Sequence, residues 1–301
     1  MSGSSRRVLV TGGAGFVGSH TADAHIARGD RVWVIDDLSS GRLSNVPADA
    51  EFVRMDIADP RARELIRDIG FDLINHHAAQ IDVRVSVADP VADAAVNIAG
   101  LLNVLEGARA AGTRRVIFVS SGGVVYGEPD AHPTPESAAK RPLSPYGVSK
   151  LAAEYYLGYY RAVHGLEYVA LRYGNVYGPR QDPNGEAGVV AIFSNRLIER
   201  EPLVIYGDGE QTRDYIHVED VARANLVAAD MPLEDGDGLE EAAGVRPGRA
   251  HRPARPGELR RSVLATGRLR AMGWSPIHSL ADGLARTFRH IASSRAAAPA
   301  G

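Results

Sequence analysis

A doubly wound α/β fold, a parallel sheet with helices on both faces, is the class this chain predicts, and three observations predict it. Short apolar runs recur through the first 175 residues, each followed by a helical stretch; that alternation belongs to parallel sheets built from βα units. The runs are apolar almost throughout, as strands covered on both faces must be. The first of them passes directly into a glycine-rich turn that opens a helix.

Val8-Leu-Val10 is the first strand, and Thr11-Gly-Gly-Ala-Gly-Phe-Val-Gly18 follows at once. Gly12, Gly15 and Gly18 keep the spacing of a dinucleotide loop: the first allows the tight turn, the second a close pyrophosphate, the third close helix packing. The helix from about Phe16 to Arg28 turns its N-terminal amides towards the phosphates. Arg31 to Ile35 is the second strand, and Asp36 ends it 18 residues beyond Gly18. A carboxylate there can accept both adenosine ribose hydroxyls and repels a 2′-phosphate, so NAD is favoured over NADP, with Arg42 close by in sequence. Asp37 reads as a solvated turn residue.

Glu51 to Ile57 is the third strand, and a helix through Glu64, Leu65 and Ile69 follows. Asp56, at the strand end, either meets the adenine edge or caps that helix. Phe71 to Asn75 is the fourth strand, running into His76-His-Ala-Ala-Gln80, where Ala78 and Ala79 leave room for a ligand outside the sheet. Adjacent residues of a strand face opposite ways, so His76 and His77 read as packing residues rather than a metal pair. Asp89 to Gly112 is a long helix with Val91, Ile98, Leu101, Leu102 and Leu105 on its buried side. Asn97 interrupts it, either as an exposed polar position or as a group that orders the lysine or phenol described next. Arg115 to Ser121 is the fifth strand, leading through Gly122–Gly127 into a proline-rich loop.

Ser144-Pro-Tyr-Gly-Val-Ser-Lys150 begins the next helix, with Ser144 as cap and Pro145 in the first turn. Tyr146 and Lys150 are spaced i, i+4 and share a face. A lysine charge within about 4–6 Å favours the phenolate and draws a phenol of pKa ~10 towards neutrality. Leu166 to Leu171 is the sixth strand, ending in Arg172-Tyr-Gly-Asn175. Beyond it lie a loop, an amphipathic helix from Ala187 to Glu199, a short strand Leu203–Tyr206, and a turn-rich stretch ending in Arg213. The helix from Val218 to Ala229 has Glu219 and Asp220 in its first turn. Met231 to Pro256 shows neither strand nor helix, and two further helices close the chain. The organisation expected is a dinucleotide-binding domain over 1–175, with 217–230 packing on it, and a smaller α/β substrate domain over 176–301.

A net charge of -3 gives no electrostatic reason for nucleic acid or an anionic membrane. Without cysteine there is no disulfide, thiolate metal site or cysteine nucleophile, and no metal is expected. The start lacks the apolar core of a signal peptide. No uninterrupted apolar run approaches the ~20 residues of a membrane span. A soluble, cytoplasmic enzyme is the expectation.

TGGAGFVGSH, Asp36, HHAAQ, SSGGVVYG, SPYGVSK, LRYGNVYGPRQ and YGDGEQTRDYIHVEDV resemble, in order, the motifs of the extended short-chain dehydrogenases, most closely the UDP-glucose 4-epimerase branch. The resemblance covers residues 6–229 and resumes from 255 to about 273. It implies a Rossmann-type domain with a tightly held NAD, and a UDP-sugar across the cleft. Carried over by position, Tyr146 takes the proton of the sugar 4-hydroxyl while NAD takes hydride from C4. Lys150 holds the nicotinamide ribose. The 4-keto sugar turns about its diphosphate and takes hydride on its other face. Gly12, Gly15, Phe16 and Val17 fall to the pyrophosphate, Asp36, Asp56 and Ile57 to the adenosine end, and Ala78, Ala79, Asn97 and Tyr173 to the rest of the cofactor. Asn175, Val189, Tyr206, Arg213 and Arg255 match substrate positions. The resemblance also implies a homodimer through a four-helix contact, from residues 90–112 and 145–164 of each subunit.

Three departures accompany it. The hydroxyl beside the sugar 4-OH is usually at the position of Gly122, so Ser121 is the candidate to serve. Gly123 and Val124 stand where sugar 4,6-dehydratases carry an acid–base pair, which disfavours dehydration. Some twenty residues, including a strand, are absent between Ala229 and Arg255, with Leu239 to Gly244 resembling a helix remnant. Ser262, at the position that limits space beside C2 of the sugar, leaves room for an N-acetyl group, so both UDP-Glc/UDP-Gal and UDP-GlcNAc/UDP-GalNAc fit. A UDP-uronate epimerase or decarboxylase, a nucleotide-sugar ketoreductase, and a non-catalytic NAD-binding protein share the same motifs.

Overall fold

A computed structural model of the chain describes residues 5–182, 188–206, 208–231, 238–240, 251–252 and 262–296. The first half builds βα units in the expected order. β1 (Arg7–Thr11) leads to α1 (Phe16–Ala27) and β2 (Arg31–Asp36). β3 (Glu51–Arg54), α2 (Pro60–Ile69) and β4 (Leu73–His76) follow. Then come α3 (Val83–Ala88), α4 (Pro90–Ala94) and α5 (Leu101–Ala111), the last two joined by a π-helical turn over Ala95–Gly100. β5 (Arg115–Ser121), α6 (Gly122–Val125), α7 (Pro145–His164) and β6 (Glu167–Tyr173) complete this part. Asp59 and Ser144 cap α2 and α7 with their side chains, and Gly70, Gly112 and Gly165 end α2, α5 and α7 in the left-handed conformation.

The remaining elements are smaller. β7 (Asn175–Tyr177), α8 (Val189–Glu199) and β8 (Ile205–Tyr206) precede β9 (Tyr215–His217) and α9 (Val218–Asp230). β10 (Gly238–Glu240), β11 (His251–Arg252), α10 (Gly267–Ala271) and α11 (Leu280–Ala296) end the described chain. β7 pairs with β9, and β8 with β11.

One parallel sheet of seven strands, in the order β10-β6-β5-β4-β1-β2-β3, organises the molecule. Alternate residues of each strand supply opposite faces. Val8 and Val10 join Val34, Ile117, Val169 and Leu171 under α1 and α9, with Trp274 closing the same cluster. Leu9 joins Trp33, Ile35, Ile74 and Phe118 under α2, α5 and α7. The doubly wound parallel arrangement is therefore as read from the chain, and α9 packs on the sheet.

Two readings are corrected. Gly238–Glu240, within the stretch read as featureless and partly as a helix remnant, pairs with Ala170–Arg172 as an edge strand. Three residues have too little pattern to announce a strand; the unpaired backbone groups of β6 recruit them. The expected loss elsewhere between Ala229 and Arg255 lies largely outside the described residues. Val91, expected on the buried side of its helix, is 77% exposed, and Asp93 and Asn97 are buried instead. The π-helical turn adds a residue to that turn of helix, so the leucine face of α5 does not continue into α4. Pro90–Ala111 has the length and composition to cross a membrane, but here it carries buried polar groups and packs on α2 and α7.

Candidate active site

The turn after β1 leads into α1 and lies against the residues that follow β4, His77 and Ala78. Gly12 has φ +69°, and a Cβ on it would lie 2.6 Å from the amide nitrogen of Ala78. A Cβ on Gly18 would come within 2.2 Å of the Gly12 carbonyl, so α1 lies as close as bare backbone permits. Gly15 is the cap residue of α1 and no side chain caps the helix, which leaves the amides of Phe16 and Val17 for an anion. At the end of β2 the Asp36 carboxylate accepts from Ala14 N at 3.0 Å and Leu38 N at 2.8 Å. Burial pushes its pKa up, against those two amides. The donor set suits a dinucleotide: open helix amides for a pyrophosphate, and a carboxylate fixed over the loop for a ribose. Arg42 pairs with Asp182 at 2.7 Å, and Asp37 is an exposed turn residue, bonded to Ser39.

Ser144 Oγ accepts from Gly147 N at 3.2 Å and so fixes the start of α7. On its inner face Tyr146 is 9% and Lys150 3% exposed. Lys150 Nζ donates to the Val119 carbonyl at 2.9 Å and lies 4.9 Å from the Phe118 ring and 5.7 Å from the Tyr146 ring. Burial pulls this ammonium down to about 8, while the charges of Asp93 and Glu154 oppose the fall. Phe118 stacks on His76 at 6.0 Å, and His76 Nδ1 pairs with Thr11 Oγ1 at 2.9 Å. The tyrosine–lysine pair and the glycine turn are therefore linked by consecutive contacts through Phe118, His76 and Thr11.

The remaining expectations sort by place. Ala78 and Ala79 lie half-buried after β4, and Ala78 N donates to Thr11 Oγ1 at 3.3 Å. Ile57 is buried against Gly100, where a Cβ would meet its side chain at 2.8 Å. Asp56 is exposed and folds a turn onto Ala58 N; the cap of α2 is Asp59, which corrects the capping alternative. Asn97 is buried rather than exposed, and clamps Gln80 by donating to its carbonyl at 2.8 Å and accepting from its amide at 3.0 Å. Tyr173 Oη accepts from Asn225 at 2.6 Å. Ser121 ends β5 half-buried.

From the second half of the chain, Ser262 N donates to the Thr212 carbonyl at 3.1 Å, which sets Ser262 beside the Arg213 segment. Ser262 is 5% exposed, and its Oγ has no hydrogen-bond partner among the described residues. Asn175 N donates to the Asp214 carbonyl at 2.6 Å, and Leu264 N to Asp214 Oδ2 at 2.7 Å. Val189 opens α8, and Tyr206 pairs through its backbone with Arg252. Arg255 lies outside the described residues.

Several groups at this site escaped the sequence reading. Leu264 covers Gly122 so closely that a Cβ there would be 2.5 Å from it. Glu154 accepts from Ser120 Oγ at 2.6 Å and holds Arg172 through bonds of 2.9 and 2.6 Å, and Arg172 also donates to Tyr126 Oη. The spacing of Glu154, one turn beyond Lys150 on the same helix, is a signal that would have found it. Asp93 has no such signal. Elsewhere, His217, Glu219 and His278 bring possible ligand atoms within 4.8 Å of one another. The Arg286 guanidinium already donates to both Glu219 oxygens and to His278, so a cation's place there is taken.

The model of a family described as NAD dependent epimerase/dehydratase matches residues 8–239. The UDP-glucose 4-epimerase of Mycolicibacterium smegmatis is 43% identical over 304 residues, covering 93% of this chain and 97% of the relative. Among solved structures, the UDP-glucose 4-epimerase of Thermotoga maritima with UDP-glucose superposes with a TM-score of 0.92 at 40% identity, over 96% of this chain and 99% of that one. The UDP-glucose 4-epimerase of Thermus thermophilus in complex with NAD gives 0.89 at 42% identity, over 97% and 100%.

Proposed function

The chain belongs to the NAD dependent epimerase/dehydratase family, and on that premise we propose that it is an NAD-dependent UDP-hexose 4-epimerase. It interconverts UDP-glucose and UDP-galactose, or their N-acetyl counterparts, through a transient 4-keto sugar. The observation that carries this reading is the burial of Tyr146 and Lys150 side by side, in the crevice that the glycine turn opens. The relatives solved with NAD and with UDP-glucose support it from outside the chain.

When bound, NAD supplies a reversible hydride acceptor, so the cycle needs no outside oxidant. Gly12 and Gly15 with the amides of Phe16 and Val17 hold its pyrophosphate. Asp36 takes the adenosine ribose and Asp56 and Ile57 flank the adenine. Ala78, Ala79 and Tyr173 shape the crevice, while Asn97 fixes the Gln80 backbone behind it. Lys150 holds the second ribose and keeps a positive charge beside Tyr146, whose oxygen takes the proton of the sugar 4-hydroxyl and later returns it. Ser121 relays that proton, since Gly122 has no side chain to do so. Arg213 and Arg255 hold the nucleotide diphosphate by forked donors, Asn175 touches the sugar-phosphate part, and Val189 and Tyr206 complete the substrate contacts. Ser262 leaves room at C2.

We read the quaternary state as a homodimer. Val85, Val87 and Val91 are exposed on α3 and α4, and Val148, Tyr155, Tyr159 and Val163 on α7, which packs on both; two copies of these helices meeting through those side chains would form a four-helix contact.

Purified protein incubated with UDP-galactose and with UDP-GalNAc, without added cofactor, should yield the C4 epimers with no net change at 340 nm. Stoichiometric consumption of NADH would instead mark a ketoreductase. Tyr146→Phe should lose about 10²–10⁴-fold in turnover while retaining NAD; near-parental turnover would remove the proposed base.

A further inference from the structure

Asp93 is fully buried on α4, and every hydrogen bond it accepts among the described residues comes from a neutral donor. Oδ1 takes Gln80 Nε2 at 2.9 Å and Asn97 Nδ2 at 2.9 Å, and Oδ2 takes Ser149 Oγ at 2.6 Å. A carboxylate sealed from water without a compensating charge costs several kcal/mol. Ser149 is the residue before Lys150, and Lys150 is itself a buried cation whose bond is to a neutral carbonyl. Glu154, the other carboxylate that Lys150 feels, is occupied by the Arg172 guanidinium. Among the described residues, the rest of the groups facing Lys150 are Tyr146 on α7 and His76 and His77 at the end of β4, both histidines held neutral by burial.

We propose that Asp93 is a positioning residue for the epimerisation: it is the counter-charge of Lys150, clamped against α7 by Ser149 and against the Gln80 loop by Asn97. Its charge keeps the ammonium protonated beside Tyr146 in a dry crevice, and its hydrogen bonds hold α4 and α7 in one register. The inference rests on the epimerase reading of the Tyr146–Lys150 pair, but the two can fail separately.

Lys140 and Lys150 are the only lysines in the chain, so protein labelled with ¹³C-lysine gives two side-chain signals whose titration NMR can follow. In Asp93→Asn the Lys150 midpoint should fall by about one pH unit while that of Lys140 stays. A fall of that size from about 8 would leave about a tenth of Lys150 protonated at pH 8 instead of half, and lower kcat there about fivefold with KM little changed. An unmoved Lys150 midpoint overturns the proposal, whatever the assay shows. Should Asp93→Asn not fold, thermal melts decide. Lys150→Met leaves Asp93 uncompensated and should lower Tm; the double variant Asp93→Asn/Lys150→Met should regain most of it. Additive losses would overturn the pairing. Neither readout needs turnover, so a failed epimerase assay sinks the epimerase reading and the role in epimerisation, while the midpoint and the melts still decide the Asp93–Lys150 pairing.

Discussion

Gly122 is a position where one missing side chain decides what its neighbours do. Leu264 occupies the volume that a Ser or Thr there would need, with Cδ1 2.5 Å from the site of the absent Cβ. Gly122→Ser should therefore cost about 1–3 kcal/mol of stability through overpacking, and Leu264→Ala in the same chain should relieve part of it; thermal melts of the three proteins check this. For the same reason Gly122→Ser should not rescue Ser121→Ala, whose turnover falls if Ser121 relays the proton. His77 makes a second case. Neither of its ring nitrogens has a hydrogen-bond partner among the described residues, and burial holds it at about 3, as it does His76. In the unfolded chain a histidine titrates near 6.5. Between about 6.5 and 3 the unfolded state binds the proton and the folded state does not, so stability falls as pH falls through that window. His77→Met should flatten the decline of Tm between pH 7 and 5; an unchanged slope would place the acid sensitivity elsewhere.

At the scale of elements, α7 is the part on which chemistry and packing both converge. It presents Tyr146 and Lys150 at its start, and one turn later Glu154 ties it to β5 through Ser120 and to β6 through Arg172. The ion pair is about nine-tenths buried on both sides. Removing one partner of such a pair strands the other charge and costs about 3–5 kcal/mol. Arg172→Met should accordingly be far less stable to urea at neutral pH than parent, and Arg172→Met/Glu154→Leu should recover much of the loss. Equal stability of the two variants would show that the pair carries little. The π-helical turn between α4 and α5 has a comparable role, since it brings Asp93 and Asn97 to the inner face where the regular leucine pattern would have put apolar groups.

For the molecule as a whole, the proposed catalytic pair sits on α7 against the sheet, and the residues proposed for the substrate lie on later segments. Ser262 beside Arg213, and Leu264 on Gly122, come from a segment held to the crevice by paired backbone bonds with Thr134. α3 and α4 both pack on α7, and each of the three helices carries exposed apolar side chains, Val91 at 77% and Tyr155 at 73% among them. If two copies meet there, Val91→Asp/Tyr159→Asp should convert a dimer into a monomer by light scattering while leaving the NAD content intact; a parental mass would exclude that face.

What the chain determined by itself are features of short range. The glycine spacing from Gly12 to Gly18, the carboxylate ending β2 and the i, i+4 pair of Tyr146 and Lys150 are each written within a few residues, so periodicity and turn chemistry reveal them. The strand–helix alternation is likewise local, and with it the doubly wound fold. Only the tertiary structure decided the rest. Asp93 meets Ser149 across 56 positions, Leu264 reaches Gly122 from the far end of the chain, and Gly238–Glu240 becomes a strand because β6 has an edge to fill. None of these residues differs locally from an ordinary helical, loop or turn residue. Their roles arise from burial and from which distant groups share it, and no spacing along the chain encodes that.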